Sequence, residues 1–563
     1  MLARIKQLAA KVEATSGTFD TNVLAATYAQ HLLRNAQFVF EPQSYVSDEM
    51  RETLTPIMGR PTRKDARATF GIQMKAPSTG ITPPWDVFLR GCGMRSAPIS
   101  KLTIGAITSG PLRHGERVTQ ATSGATGTVV KNTYTGTTKL YLADIIGEFD
   151  ATNVITGGTT GATCTPSVAP ASAFESNIIS FAATGNKLVR ASGSWVTDGF
   201  TTGMAVLISG SVNPAHNGVG IVTGTVTTTD LPITTASLTF ANETPGATIQ
   251  IGVVDVSAGR AWWPKTHATI RFGYTTAPSP DVAIGDVYQG ATNGATMVVT
   301  RVDTASKTIW ARIYNAKGLA EGEAVARLLT AAGTADADSI GTAEAVAYDD
   351  IPTLSLAGYS DGLLYKMKGA RGTFQLGCVN GEPAMLDFTF TGAAEGVADS
   401  AILSGVTYPM QVAPLCLSTA MTLRVEGSST TYAPRVRSVT LDAGHDVQFR
   451  ESMNEATGIL EAGIVGRAGS LNFDPEADLE SSHPFVGSLL AGSAIALNFN
   501  VGSTLGNMFA LEVPGLVYQG ITDGERNGHL THEVSCQVTG GQFSNVSNTP
   551  GADNDFVLIY TAQ

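Results

Sequence analysis

Apolar and polar residues alternate in short runs along most of this chain, the pattern of strands with one face buried and one face wet. Phe70, Ile72 and Met74 fall on one side of such a run, and Leu471 and Phe473 on one side of another. Each run leads into a short helix signature. In the first, Pro84 suits a first helical turn, Trp85, Phe88, Leu89 and Cys92 share a face, and glycine follows. Ser481-Ser482-His483-Pro484-Phe485 through Gly492 repeats that plan, with Pro484 standing 400 positions after Pro84.

The likeness continues on both sides of the helices. Upstream, Val39-Phe40, Val46 and Asp48 to Glu52 correspond roughly to Val439-Thr440, Val447 and Arg450 to Glu455. Downstream, Leu386-Asp387-Phe388-Thr389-Phe390-Thr391-Gly392 matches Val534-Ser535-Cys536-Gln537-Val538-Thr539-Gly540. Similar pieces in one order predict an internal duplication.

The second helix runs almost directly into the next strand, Ala494 to Phe499, whereas a long stretch separates the first helix from Leu354-Ser355-Leu356. An insertion of that size must leave from a surface loop, where closure entropy grows slowly with length. The insertion carries its own repeat. Gly115-Glu116, Ala121 to Thr126, Val129-Val130 and Tyr141-Leu142-Ala143 are echoed by Gly285-Asp286, Ala291 to Thr296, Val298-Val299 and Trp310-Ala311-Arg312. Ser-Gly and Asn-Gly between apolar runs are hairpin signals.

The predicted division is therefore 1–100 and 346–425 for the first duplicated domain and its linker, and 426–563 for the second. Inserted β modules occupy 101–168, 169–256 and 257–345, the third related to the first. The predicted class is mainly β: two related sandwich or barrel domains, each with a short helix, plus small β modules.

Composition fits that class. Glycine (61 residues) and proline (25) among many Thr, Val, Ala and Ser residues favour tight turns over long helices. The formal net charge of −12 has the wrong sign for gripping nucleic acid, which calls for a basic surface. Five scattered cysteines without a CxxC pair suggest free thiols in a reducing cytosol. No run approaches the roughly 18–20 apolar residues of a membrane helix, and Met1 to Gln7 lacks an apolar stretch behind its basic residues. A soluble, unprocessed chain is expected.

Candidate chemistry is thin, and neither an enzyme nor a cofactor or metal site is expected. No phosphate-binding glycine loop and no HExxH occurs. Gly358-Tyr359-Ser360-Asp361-Gly362 satisfies G-x-S-x-G, but the strand-like Leu363 to Met367 that follows predicts a hairpin turn rather than a nucleophile elbow. His529 and His532, three apart on a strand, point to opposite faces and cannot share a metal. Asp336-Ala337-Asp338 and Asp553-Asn554-Asp555 lack the closing glutamate of a calcium loop. Trp262-Trp263-Pro264 suits a packed junction better than a sugar platform.

The stretch Ser47 to Ala66 combines Asp48, Glu49, Arg51, Glu52, Arg60, Arg63 and Lys64 with apolar Met50, Leu54, Ile57 and Met58. It reads either as a solvated loop or as an ordered arm that touches a neighbouring subunit, mixed charges around apolar anchors being suited to a specific interface. Arg450, Glu451 and Glu455 hold the corresponding place in the second copy.

Taken in order, several segments resemble the tail tube proteins of siphophages: Ala14 to Thr18, Pro56 to Gly59, the helix from Pro84-Trp85 to Cys92, Lys368 to Thr373, Asp387 to Gly392, and Asp553 to Thr561. The likeness covers about 1–100 and 346–563, and the insertion departs from it. The resemblance implies a β domain flanked by a helix, whose sheets join across subunits into rings that stack as a virion tail tube assembled in the host cytoplasm. A long loop from each domain would reach the next ring. Tape measure, tail terminator and distal tail proteins would be its partners. Such rings usually hold six domains, so three two-domain chains would complete one, the alternative being a true hexamer. DNA would pass an acidic lumen without tight binding, and Glu382, Asp387, Glu525 and Glu533 are the candidate lining residues. A rival reading makes the chain a virion or cell-surface adhesin whose β modules bind glycans.

Overall fold

The computed structural model describes residues 6–13, 16–45, 59–77, 82–114, most of 116–348 in pieces, 351–409, 411–417, 420–425, 430–502, 507–539 and 555–561. The protein is mainly β. It divides into two units: Met1–Ser96, Trp262–Gln542 and Asp553–Tyr560 in one, and Ala97–Ala261, Phe543–Ala552 and Thr561–Gln563 in the other.

In the first unit, one half of the main sheet is built from β1 (Lys6–Val12), β2 (Leu33–Tyr45), β3 (Arg60–Gln73), helix α1 (Asp86–Gly91), and then β4 (Leu354–Ser360), β5 (Gly362–Val379) and β6 (Met385–Ser400). Its strand order is β2-β3-β6-β5-β4-β1, antiparallel throughout. The other half is built from β7 (Ala420–Val425), β8 (Val436–Asp442), a β9–β10 hairpin (His445–Glu451 and Ile459–Arg467), β11 (Ser470–Pro475), helix α2 (Phe485–Ala491), β12 (Ile495–Val501), β13 (Met508–Arg526) and β14 (His529–Thr539). Its order is β8-β11-β14-β13-β12-β7. Taken in chain order, the two halves share one topology.

Pairing registers make the match residue by residue. Ile72 lies between Leu33 and Leu386, as Phe473 lies between Val439 and Val534. Leu376 faces Leu386 as Ile521 faces Val534, and Phe374 faces Phe388 as Tyr518 faces Cys536. Leu33 is therefore the counterpart of Val439, which corrects the upstream alignment of Val39 with Val439. An apolar-polar alternation reads equally well when slid by an even number of residues, and only the partner strand chooses the register.

The two halves form one continuous sheet, because β5 bonds β8 with Leu376 opposite Leu441 and Cys378 opposite Val439. On the apolar face, Phe88 of α1 packs against Phe70, Phe388 and Phe390, with centroids 4.8, 5.4 and 5.9 Å away. Offset aromatic clusters of this kind add to the burial term. Asp361 (φ +35°) and Gly362 (φ +99°) make the turn between β4 and β5, so the G-x-S-x-G segment is a hairpin with positive φ at both central positions. Trp262 and Trp263 are buried, and the Trp262 indole donates to Asp86 at 2.6 Å while packing on Trp85, centroids 4.8 Å apart.

The first unit also holds a closed six-stranded barrel: Thr269–Tyr274, Val287–Gly290, Thr296–Asp303, Thr308–Ile313, Ala324–Leu329 and Ser339–Tyr348. Counted along the chain, its order is first, fourth, third, second, fifth, sixth, with the sixth returning to the first. Its last strand ends at Tyr348, past the boundary read at 345.

In the second unit, the six strands from Ser100–Thr103 to Thr163–Cys164 follow the same order, and bridges Ile104–Pro166 and Thr108–Thr163 link its ends. Both modules bury an acid before their second strand. Glu116 accepts from the Arg113 N–H, and Asp286 from the Ala283 N–H, the same backward reach of three residues. A seven-stranded sheet between Phe174 and Val254 completes the second unit around Trp195, Phe181 and Phe240. Among the described residues no helix is long and apolar enough to cross a membrane.

Candidate functional site

The candidate site is a surface: the wet face of the main sheet, its edges and its arm. Alternation along each strand turns a polar residue outward at every second position, and the registers align these into rows. One row runs Arg34, Gly71, Asp387, Gln375, Asp442, Ser470, Gln537, Val517 across both halves. The next runs Gln73, Met385, Gly377, Thr440, Asn472, Ser535, Gly520. The face carries mostly hydroxyl, amide and carboxylate groups with a few apolar positions, and its arginines are Arg34 and Arg67 in the first half and Arg526, paired with Asp474, in the second.

The four candidate lining acids separate on this surface. Asp387 and Glu533 stand on the wet face, Glu533 opposite Thr522. Glu525 faces Leu530, and it shares strand parity with Ile521, which places it on the other side of the hairpin. Glu382 lies in the turn between β5 and β6, where its N–H donates to the Val379 carbonyl. The four candidates therefore do not share one face: sequence acidity does not report strand parity beyond a bulge, and one falls between Tyr518 and Gly520. Asp387 is crowded, since a Cβ on Gly71 would sit 2.5 Å from its Oδ1. Desolvation raises the carboxyl above its usual range, and Arg34 opposes the rise.

The β9–β10 hairpin is an arm of the second half that lies on the first half. The Lys64 N–H donates to the Thr457 carbonyl at 3.0 Å. Arg63 pairs with Asp65 and Glu451 and covers the Phe449 ring at 4.9 Å. Lys368 lies 3.7 Å from Glu455. Near the same end of the arm, Glu461 is contacted by Arg371 at 3.6 Å and Arg450 at 3.1 Å, and by the Ser16 hydroxyl. Burial pushes the Glu461 carboxyl up, but Ser16, Arg371 and Arg450 together bring it below its ordinary value. Beside it, the buried Glu13 accepts from the Gly17 and Gly369 N–H groups and from the Thr353 and Ser355 hydroxyls, all within 2.6–2.9 Å.

Arg63, Glu451 and Glu455, expected at a contact with a neighbouring subunit, are therefore engaged between the two halves of one chain, as is the Lys64 backbone, whereas Arg450 pairs with Glu461 inside the arm. Two long hairpins of like sequence cannot reveal which half each will meet. Arg60 pairs with exposed Tyr45 at the described end of the β2–β3 hairpin. Asp48, Glu49, Met50, Arg51, Glu52 and Ile57 lie outside the described residues.

Two edges matter for assembly. Among the described residues β2 bonds only β3, yet it is the counterpart of β8, which bonds both β11 and β5. On β13, the stretch around Ile521 is the counterpart of the β5 edge that receives β8. β13 also pairs with Val557–Thr561, whose Tyr560 packs on Phe509 at the far end of the strand, centroids 5.4 Å apart.

One cluster with the look of a catalytic site escaped the sequence reading. In the second unit Ser211, His216 and Glu243 meet, with Ser211 Oγ 3.1 Å from His216 Nδ1 and donating to Glu243 at 2.7 Å. The Ala241 N–H donates to His216 Nε2 at 2.9 Å, so the ring proton sits on Nδ1 and points at Glu243, 2.7 Å away. The imidazole has no lone pair aimed at the serine, and general-base work needs one. His532 bonds Asp523 at 3.0 Å, and among the described residues no three His, Cys, Asp or Glu side chains gather as a metal site. Comparison with protein-family models and with curated proteins found no match.

Proposed function

We propose that this chain is the repeating subunit of a bacteriophage tail tube, with three chains closing a ring of six domains and rings stacking around a DNA passage. The observation that carries this reading is the β5–β8 joint. Two halves of one topology are already joined edge to edge within the chain, and each half keeps the counterpart of an edge used in that joint. A heterologous contact that repeats by rotation closes into a ring, and closure hides strand edges that otherwise invite aggregation. The next chain's β2 then meets β13 around Ile521, as β8 meets β5 around Leu376. On this reading the wet face lines the bore. Its hydroxyls, amides and carboxylates outnumber its arginines, so little counterion release from the phosphates is on offer and DNA slides past without being held.

The joint specifies its own test. Gly377 faces Thr440, and their counterparts are Thr522 and Arg34. A chain carrying Thr522→Cys and Arg34→Cys should cross-link under mild oxidation into a covalent species of three chains, with a matching ring mass by native mass spectrometry. Cross-links that stop at two chains, or six-fold symmetric rings of six chains, would overturn the trimer.

A further inference from the structure

Cys378 ends β5 on its apolar face, and Cys416 lies in the linker that carries the chain from β6 to β7. The linker is held against the β5–β6 turn by its backbone. The Cys416 N–H donates to the Glu382 carbonyl at 2.8 Å, the Gly381 N–H donates to the Cys416 carbonyl at 3.2 Å, and Leu415 bridges to Pro383. This brings Cys416 into the neighbourhood of Cys378 and Val379, which act on its thiol electrostatically. Both cysteines are buried, at 3% and 5% exposure, and both are free thiols. The neighbours of Cys416, Leu415 (44%) and Leu417 (51%), are exposed, so the site lies just beneath the surface.

We propose that Cys378 and Cys416 are a redox modification site: a peroxide converts the pair to a disulfide that staples the inter-half linker to the end of β5. The two thiols play different parts. The Cys378 side chain and, less, the Val379 N–H hold the Cys416 thiol below its ordinary value against the burial that would raise it, while the Cys378 thiol is raised, so Cys416 is the sulfur that attacks as thiolate. That thiolate attacks one peroxide oxygen, the O–O bond breaks, and sulfenic acid forms as hydroxide leaves. The Cys378 sulfur then displaces the hydroxyl from the Cys416 sulfur. The S–S bond forms, Cys378 gives up its proton, and the balance is two thiols and one hydrogen peroxide to one disulfide and two waters. β5 is also the strand that bonds β8, so the staple fixes the linker next to the joint between the halves.

The remaining cysteines are controls within the same chain. Burial raises the Cys92 thiol well above its ordinary value, Cys164 to about 11 and Cys536 to about 12.

The full-length protein is treated with hydrogen peroxide, alkylated, digested and mapped by mass spectrometry, beside a dithiothreitol-reduced sample. The expected result is a peptide linking Cys378 to Cys416, two hydrogens lighter than its reduced parts, with Cys92, Cys164 and Cys536 still alkylated. The oxidised protein should melt several degrees higher, and reductant should reverse the shift. Cys416→Ser should abolish both effects. The proposal is overturned if Cys416 goes on to sulfinic acid while Cys378 remains alkylatable, or if Cys92, Cys164 or Cys536 oxidises first. The wild-type map decides even if the variant fails to fold, and it needs no ring or tube, so it stands apart from the assembly reading.

Discussion

Single residues here act mainly by being buried with the partners they need. Glu13 shows the rule, because four donors converge on one carboxylate that would otherwise be costly to desolvate. His31 and His445 show the opposite case. His31 lies edge-on to Phe88 at 4.6 Å, and burial lowers its pKa from 6.5 to about 4. Burial, with Arg467 nearby, brings His445 to about 4 as well. The unfolded chain therefore binds more protons than the folded one between pH 6.5 and about 4, and stability falls as pH drops through that window. Stability is unaffected by these groups above pH 6.5, and below about 4 their loss is complete. The loss is on the order of 3 kcal/mol per histidine. Urea midpoints should decline between pH 6.5 and 4, and His445→Gln, which removes one titrating group, should flatten the decline. An equal slope in the variant would rule out His445 as a contributor.

At the scale of elements, the arm is the informative case. It is a two-stranded hairpin, marginal alone, and it stays in place through contacts near its loop end. Gly17 admits it. The backbone there has φ +76°, and a Cβ would lie 2.4 Å from the Leu460 carbonyl oxygen. Gly17→Val should therefore free the arm while leaving the apolar face of the sheet intact. Limited proteolysis should cut faster between Ser452 and Gly458, with a thermal midpoint only a few degrees lower. Unchanged protection of that segment would mean that the arm is held elsewhere. The paired charges at its tip matter less, because Arg63 and Glu451 are partly exposed and such pairs are worth about 0–1 kcal/mol.

For the whole molecule, the division of labour between halves and insertion is open to experiment. The proposed assembly uses edges and a joint that belong to residues 6–73 and 354–539, outside both six-stranded modules. A chain in which 101–258 and 267–350 are each replaced by a short flexible linker, keeping the Arg260–Pro264 strand that packs Trp262 on Trp85, should still form rings. Such a deletion is tolerable on entropic grounds, since shortening a surface excursion changes closure cost by only about 0.6 kcal/mol per halving. A virion that carried the deleted chain and lost host attachment while keeping its tubes would locate attachment in the modules. Loss of ring formation would instead make the insertion part of the assembly.

Much of this protein was legible in its residues. The inward positions Phe70, Ile72, Met74, Leu471 and Phe473, both short helices and the Asp361-Gly362 turn follow from local pattern, because periodicity and turn chemistry are properties of neighbours in sequence. The downstream alignment of Leu386 to Gly392 with Val534 to Gly540 agrees with the pairing registers, whereas the upstream alignment of Val39 with Val439 does not. Tertiary structure alone decided what depends on residues far apart: that β5 bonds β8, that Arg63 meets Glu451, that Cys416 reaches Cys378, and that Glu525 turns away from Asp387 and Glu533. A strand's own sequence says which of its faces is apolar. It does not say which edge it will offer, or to whom, because backbone donors and acceptors are the same at every residue.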